Sequence, residues 1–281
     1  MMTVIAVVFW TWLVLIIMYM LAIMPRMFGR AERTPFLGVL YAHRGLHDNK
    51  TDAPENSMKA FKMAVDAGYG IEMDIQLSKD GVPVVFHDFT LDRVCGKKGR
   101  VCDYTYEELQ ELKLCDSDER IPKFEDVLEM VDGRVPLIVE YKLLGYSTKV
   151  CVKGNELLSR YKGKYCIESF HPFALLWYRK NNKKIMRGQL SCSFRNDETH
   201  RRSPLDMVLA NLLFNFLSKP DFIAYDHRDY RNKSRGICRY VYGGLAVAWT
   251  IKSQEELDAR QEDFDMFIFD NFIPDREGKH E

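Results

Sequence analysis

What most constrains this chain is a recurring alternation. Short apolar runs at 39–42, 70–76, 135–140, 165–169, 185–190, 221–225, 245–249 and 266–270 are separated, for the most part, by stretches of helical character. Strands that alternate with helices make a parallel α/β fold. The stretch 57–67 shows the helical pattern: Ala60, Phe61, Ala64 and Val65 form one stripe, Asn56 or Ser57 can cap it, and Gly68 can end it. A ninth run, Pro83-Val84-Val85-Phe86-His87, follows the second by only a few residues. A parallel crossover takes about a dozen residues or more. Lys79-Asp80-Gly81 therefore reads as a hairpin turn, and 76–87 should fold back antiparallel. Eight parallel strands remain, the number that closes a (β/α)8 TIM barrel, with a doubly wound open sheet as the alternative.

The first 34 residues stand apart from the barrel expected over 35–281. Val4 to Met24 carries no charge, and about 20 helical residues cross a hydrocarbon core. A signal peptide needs a basic leading region and a small-residue cleavage site. Only Met1, Met2 and Thr3 precede this run, and Leu21-Ala22-Ile23-Met24 offers no such site. The expectation is a retained transmembrane helix over 4–24, then a basic juxtamembrane segment. Arg26, Arg30 and Arg33 follow the run and no Lys or Arg precedes it, so the positive-inside bias puts the barrel in the cytoplasm of a single-pass cell-membrane protein. The seven cysteines agree: the number is odd, and no C-x-x-C pair occurs. They read as free thiols of a reducing compartment, not as a disulfide framework or a zinc site. Basic and acidic residues balance at 40 each, which argues against a nucleic-acid partner.

Polar clusters sit at the ends of five of the predicted strands. These are His43-Arg44-Gly45, Glu72-x-Asp74, His87-Asp88, Glu140-x-Lys142 and Ser169-Phe170-His171-Pro172. Along 70–77 the alternation puts Glu72, Asp74 and Gln76 on one face and apolar residues on the other. Two carboxylates at i and i+2 can share one hard cation. Each cluster alone is ordinary: a solvated strand edge, a structural His–Asp pair, a surface ion pair. Together they are not, because all carboxyl ends of barrel strands face one mouth, where active sites lie.

In this order the residues resemble the glycerophosphodiester phosphodiesterase family. The match runs through Ala42-His43-Arg44-Gly45, Pro54-Glu55-Asn56-Ser57, Glu72-x-Asp74 and 79–88. It continues through Ile121-Pro122-x-Phe124-Glu125, Glu140-x-Lys142, Ser169-Phe170 and Ala248-Trp249-Thr250. Phe269-Asp270 stands where the family usually has Thr-Asp, and 192–220 matches no family pattern. The resemblance implies metal-dependent hydrolysis of glycerophosphodiesters to an alcohol and sn-glycerol 3-phosphate. It implies His43 and His87 as the acid–base pair. Glu72, Asp74 and Glu140 would hold one divalent cation, Mg²⁺ or Ca²⁺. Arg44 and Lys142 would bind the phosphate, with Glu55 and Asn56 orienting Arg44, and Phe170 and Trp249 would border the substrate pocket. The attacking oxygen is that of water or of a neighbouring glycerol hydroxyl.

Two alternatives accompany this reading. The substrate can instead be a membrane lysophospholipid, cleaved in a lysophospholipase D reaction. An apolar helix through Leu205–Leu217 would then stand at the mouth, with Arg201 and Arg202 meeting anionic head groups; the plainer reading of that helix is a barrel helix facing the core. From another class, the barrel can be an inactive membrane-tethered binding module. No expected ligand or histidine is missing, which weighs against that.

Overall fold

The computed structural model describes residues 2–194 and 203–275. Its nine strands are β1 (Leu40–His43), β2 (Gly70–Leu77), β3 (Pro83–Val85), β4 (Leu137–Tyr141), β5 (Tyr165–Ser169), β6 (Arg187–Ser191), β7 (Phe222–Asp226), β8 (Leu245–Ile251) and β9 (Met266–Phe269). All except β3 are parallel, and β1 pairs with both β2 and β9, so the sheet closes. Closure decides for the barrel against the open sheet. β2 changes partner along its length. Its first residues pair with β1, from Gly70↔Tyr41 to Glu72↔His43, and its last pair with the antiparallel β3, from Ile75↔Val85 to Leu77↔Pro83. The hairpin is where the spacing put it, and Gly81 supplies the left-handed φ of +81° that the turn needs.

Strand alternation sorts the side chains of the parallel strands into two cores, and a third apolar cluster packs under the segment after β3, around Val84, Phe86 and Leu91. Outside the barrel, Ile71, Met73, Ile75 and Val139 pack with Phe61, Val65, Val127 and Leu175 from the surrounding helices. Inside, at the amino-terminal base, Phe36, Tyr41, Ile138, Phe222 and Val247 form an apolar plug. The plug is tight: a Cβ on Gly188 would lie 1.9 Å from the Phe222 ring. The upper interior is left to polar side chains. Helix Met58–Asp66 is capped by Ser57, whose hydroxyl accepts from the Ala60 amide. Asn56 is thereby free for another task.

The expected single helix through Leu205–Leu217 is broken. Helix Pro204–Ala210 stops, Leu212 takes a φ of +58°, and a short helical turn follows over Asn215–Ser218. A continuous helix would carry Leu205, Leu209, Leu212 and Phe216 on one face. Instead Leu212 is buried in the core, while Leu205 and Phe216 are exposed. Arg201 and Arg202 lie outside the described residues.

The N-terminal helix, Met2–Ile23, joins the barrel through its last turns. Ile23 is wholly buried, and its carbonyl accepts from Asn215 Nδ2 at 2.9 Å and Cys238 Sγ at 3.3 Å. The Tyr19 hydroxyl meets Ser234 Oγ at 2.8 Å, and the Tyr242 hydroxyl donates to the Met20 carbonyl at 3.0 Å. Beyond the helix the chain lies against the base. The Arg26 amide donates to Pro220 O, its guanidinium reaches Lys183 O and Asp221, and Arg30 donates to the Tyr242 and Gly243 carbonyls. The basic segment expected beside a membrane is thus hydrogen-bonded to the barrel.

Candidate active site at the barrel mouth

β2 points Glu72, Asp74 and Gln76 into the upper barrel, and β4 adds Glu140 in register with Asp74. Oxygens of Glu72, Asp74 and Glu140 all lie within 4.8 Å of one another, and all three residues are buried. Hard cations take oxygen ligands at about 2.0–2.6 Å, so oxygens this far apart can share one ion. A fourth carboxylate, Glu168 on β5, pairs in register with Glu140; it is buried, and its Oε2 has no hydrogen-bond partner. Burial and mutual repulsion hold Glu72 and Glu168 well above the usual carboxylate range and push Glu140 up to about 7. Burial also acts to raise Asp74, but Lys142, His87 and Arg44 hold it well below. This surplus of packed carboxylates fits a divalent cation, whose binding would displace protons from the site.

Two side chains already meet part of the charge. Lys142 Nζ stands 3.0 Å from Asp74 Oδ1 and 2.8 Å from Glu140 Oε1. Arg44, held at a φ of +55°, directs Nη1 to Glu55 Oε1 at 2.7 Å and Nε toward Asp74 Oδ2 at 3.5 Å. Asn56 donates from Nδ2 to Asp74 Oδ2 at 3.0 Å. Glu55 holds the Arg44 guanidinium, and Asn56 meets both Arg44, whose carbonyl accepts from its amide at 3.0 Å, and a carboxylate of the acidic cluster. Arg93 was not anticipated. It donates to both oxygens of Glu55 at 2.7 Å each and to Asp88 Oδ2 at 2.7 Å, tying the loops after β1 and β3 together.

His43, ending β1, places Nδ1 3.3 Å from Asp270 Oδ2 and Nε2 4.0 Å from Glu72 Oε2. Asp270 also meets His47 Nε2 at 3.0 Å, a residue the sequence reading passed over. Burial and the Arg44 charge bring the His43 imidazole down to about 4, with Asp270 opposing. His87, after β3, places Nδ1 2.6 Å from Asp88 Oδ1 and is likewise lowered, chiefly by burial. Gln76 fixes the His87 loop by donating to the Phe86 and Asp88 carbonyls at 2.8 Å each.

Phe170 and Trp249 meet edge-to-face at 5.5 Å across the mouth. Beside them a cavity of about 520 Å³ starts at Glu140 and Lys142 and runs past Phe170 and Phe173 to Leu205, Leu209, Phe214 and Leu217. In the fifth polar cluster Ser169 Oγ donates to the Tyr141 carbonyl and His171 caps helix Pro172–Asn181, and all four residues border the same cavity.

Residues 43–262 match the model of the glycerophosphoryl diester phosphodiesterase family. The chain belongs to that family. Its class, phosphoric diester hydrolysis, is the class read from the sequence. Among family relatives, the glycerophosphodiester phosphodiesterase of Bacillus altitudinis is 36% identical over 157 residues, or 50% of this chain and 61% of that one. Glycerophosphodiester phosphodiesterase 1 of Mus musculus is 27% identical over 251 residues, or 76% of this chain and 72% of that one. In fold, the chain is similar to an Oleispira antarctica phosphodiesterase solved with its product sn-glycerol-3-phosphate. The TM-score is 0.66 at 22% identity, covering 83% of this chain and 93% of that one.

Proposed function

We propose that this phosphodiesterase hydrolyses glycerophosphodiesters to an alcohol and sn-glycerol 3-phosphate, using one divalent cation, Mg²⁺ or Ca²⁺, at Glu72, Asp74 and Glu140. The observation that carries the proposal is the convergence of three buried carboxylates within 4.8 Å, between two histidines and two fixed cations. When bound, the metal supplies positive charge against the phosphoryl oxygens. Arg44 and Lys142 grip the phosphate. His43, neutral at ordinary pH, takes the proton of the attacking oxygen as the new O–P bond forms. His87 gives a proton to the leaving oxygen as the old bond breaks. The test is chelation. EDTA should abolish turnover of glycerophosphocholine, and Mg²⁺ or Ca²⁺ should restore it. Full activity in rigorously metal-free protein overturns the cation assignment.

In this reading Met2–Ile23 is a retained single-pass anchor in the cell membrane, with the barrel in the cytoplasm. Its integration supports retention, because removing it would empty the Ile23 site and strip Asn215 and Cys238 of their acceptor. The free cysteines support the compartment.

A second substrate reading, a lysophospholipid, is favoured by the apolar cavity that opens beside Lys142. Leu205→Asp with Leu209→Asp should cut turnover of lysophosphatidylcholine roughly tenfold or more, since each buried methylene is worth about 0.8 kcal/mol. Turnover of glycerophosphocholine should hold. An equal fall in both, or in neither, sinks the acyl-chain reading.

A further inference from the structure

The anchor also carries information about orientation. Segment 24–33 lies against Lys183, Pro220, Asp221 and Gly243, all of which precede strands and so mark the base. Tyr19, one turn back from Ile23, meets Ser234. The level of Ser234 can be fixed independently. Ser191, the last residue of β6, donates to Leu209 O at 2.9 Å, Asn232 donates to Ala210 O at 3.3 Å, and Ser234 Oγ lies 3.5 Å from Asn211 Oδ1. Leu209–Asn211 and Ser234 therefore stand level with the carboxyl ends of the strands. From Tyr19 back to Met2 the helix continues away from the base and rises past the mouth.

Length sharpens the point. The apolar span Thr3–Ile23 has 21 residues, and about 20 are needed to cross the ~30 Å hydrocarbon core. Its immersion therefore carries the bilayer at least down to Tyr19, which is mouth level. One arc of the rim is apolar. Phe89, Leu144, Tyr146, Leu205 and Met207, on segments that follow β3, β4 and β6, are all exposed, Tyr146 by 80% and Met207 by 68%. Single exposed apolar residues are commonplace, but a group on one rim marks an interaction surface. The base exposes apolar side chains too, Phe28, Leu37, Tyr240 and Val241, so the direction of the helix, and not the apolar rim by itself, decides the orientation.

We propose that the docked anchor turns the barrel mouth toward the lipid bilayer and seats this apolar rim in its interface, so that substrate enters from the membrane surface. The inference rests on reading Met2–Ile23 as a membrane anchor. The test is photocrosslinking of the full-length protein in phosphatidylcholine vesicles, with p-benzoylphenylalanine replacing one residue at a time: Met207 or Leu144 at the rim, Phe28 at the base, Trp10 in the helix. Lipid adducts from Met207, Leu144 and Trp10, with loss of the adduct at Phe28, are expected. Adducts from Trp10 but from neither rim position overturn the orientation and leave the anchor standing. Adducts from Phe28 overturn the orientation too. No adduct from Trp10 removes the anchor, and the orientation with it.

Discussion

His43 and His87 both lean on an aspartate through Nδ1, yet the two aspartates are held differently. Asp88 is gripped by Arg93, which also grips Glu55, which in turn holds Arg44. His87 thus belongs to a charged network that reaches Arg44, the arginine proposed to bind the phosphate. Asp270 is shared between His43 and His47, and among the described residues its ion-pair partners are both imidazoles. An aspartate already paired with a permanent cation has less field left to act on its histidine. One whose partners carry no permanent charge has more. The difference suits the two tasks proposed for them: His43 as a base tuned by Asp270, and His87 as an acid positioned, rather than strongly charged, by Asp88.

The largest effects should come from the imidazoles themselves. His43→Ala and His87→Ala are each expected to lower kcat by roughly 10²–10⁴ with the fold intact. The double variant should be little worse than the poorer single one, because groups acting in one step are not additive. A loss under about tenfold for either histidine, by steady-state assay, would remove it from the proton transfers. Next come the aspartates. Asp270→Asn should cost roughly 10–100-fold, as removal of an orienting partner typically does, and Asp88→Asn distinctly less. The reverse order would break the comparison. The smallest effect belongs to Arg93→Lys, which keeps the charge but loses the fork. Half-exposed ion pairs are worth about 1 kcal/mol or less, so KM should rise about fivefold or less while kcat is held. A fall in kcat with KM unchanged would place Arg93 nearer the proton transfers than the geometry does.

Much of this was legible before the fold was known. The strands lie within about two residues of their predicted positions because period-two alternation and apolar runs are local signals. Glu72, Asp74, Glu140 and both histidines stood out because they are polar groups within or at the ends of those runs. Glu168 had a signal that went unused: it alternates with Cys166 on one face of β5, as Glu140 does beside it on β4. His47 had none and Arg93 only its neighbour Asp88, since Asp270 and Glu55 come from distant loops that closure of the barrel brings together. The break at Leu212 was equally silent. No Gly or Pro interrupts 205–217, and tertiary burial of one leucine overrode the helical pattern.

The burial of Ile23 also decides where a soluble fragment of the domain can start. A truncation that begins after Met24 removes the side chain that fills a closed slot and the carbonyl that satisfies Asn215 and Cys238. Emptying such a site costs about 2–5 kcal/mol, a large share of the stability of an ordinary domain. A fragment that begins at Met18 keeps Tyr19, Met20 and Ile23 in place and sheds most of the apolar helix, so it should remain folded where the shorter one precipitates.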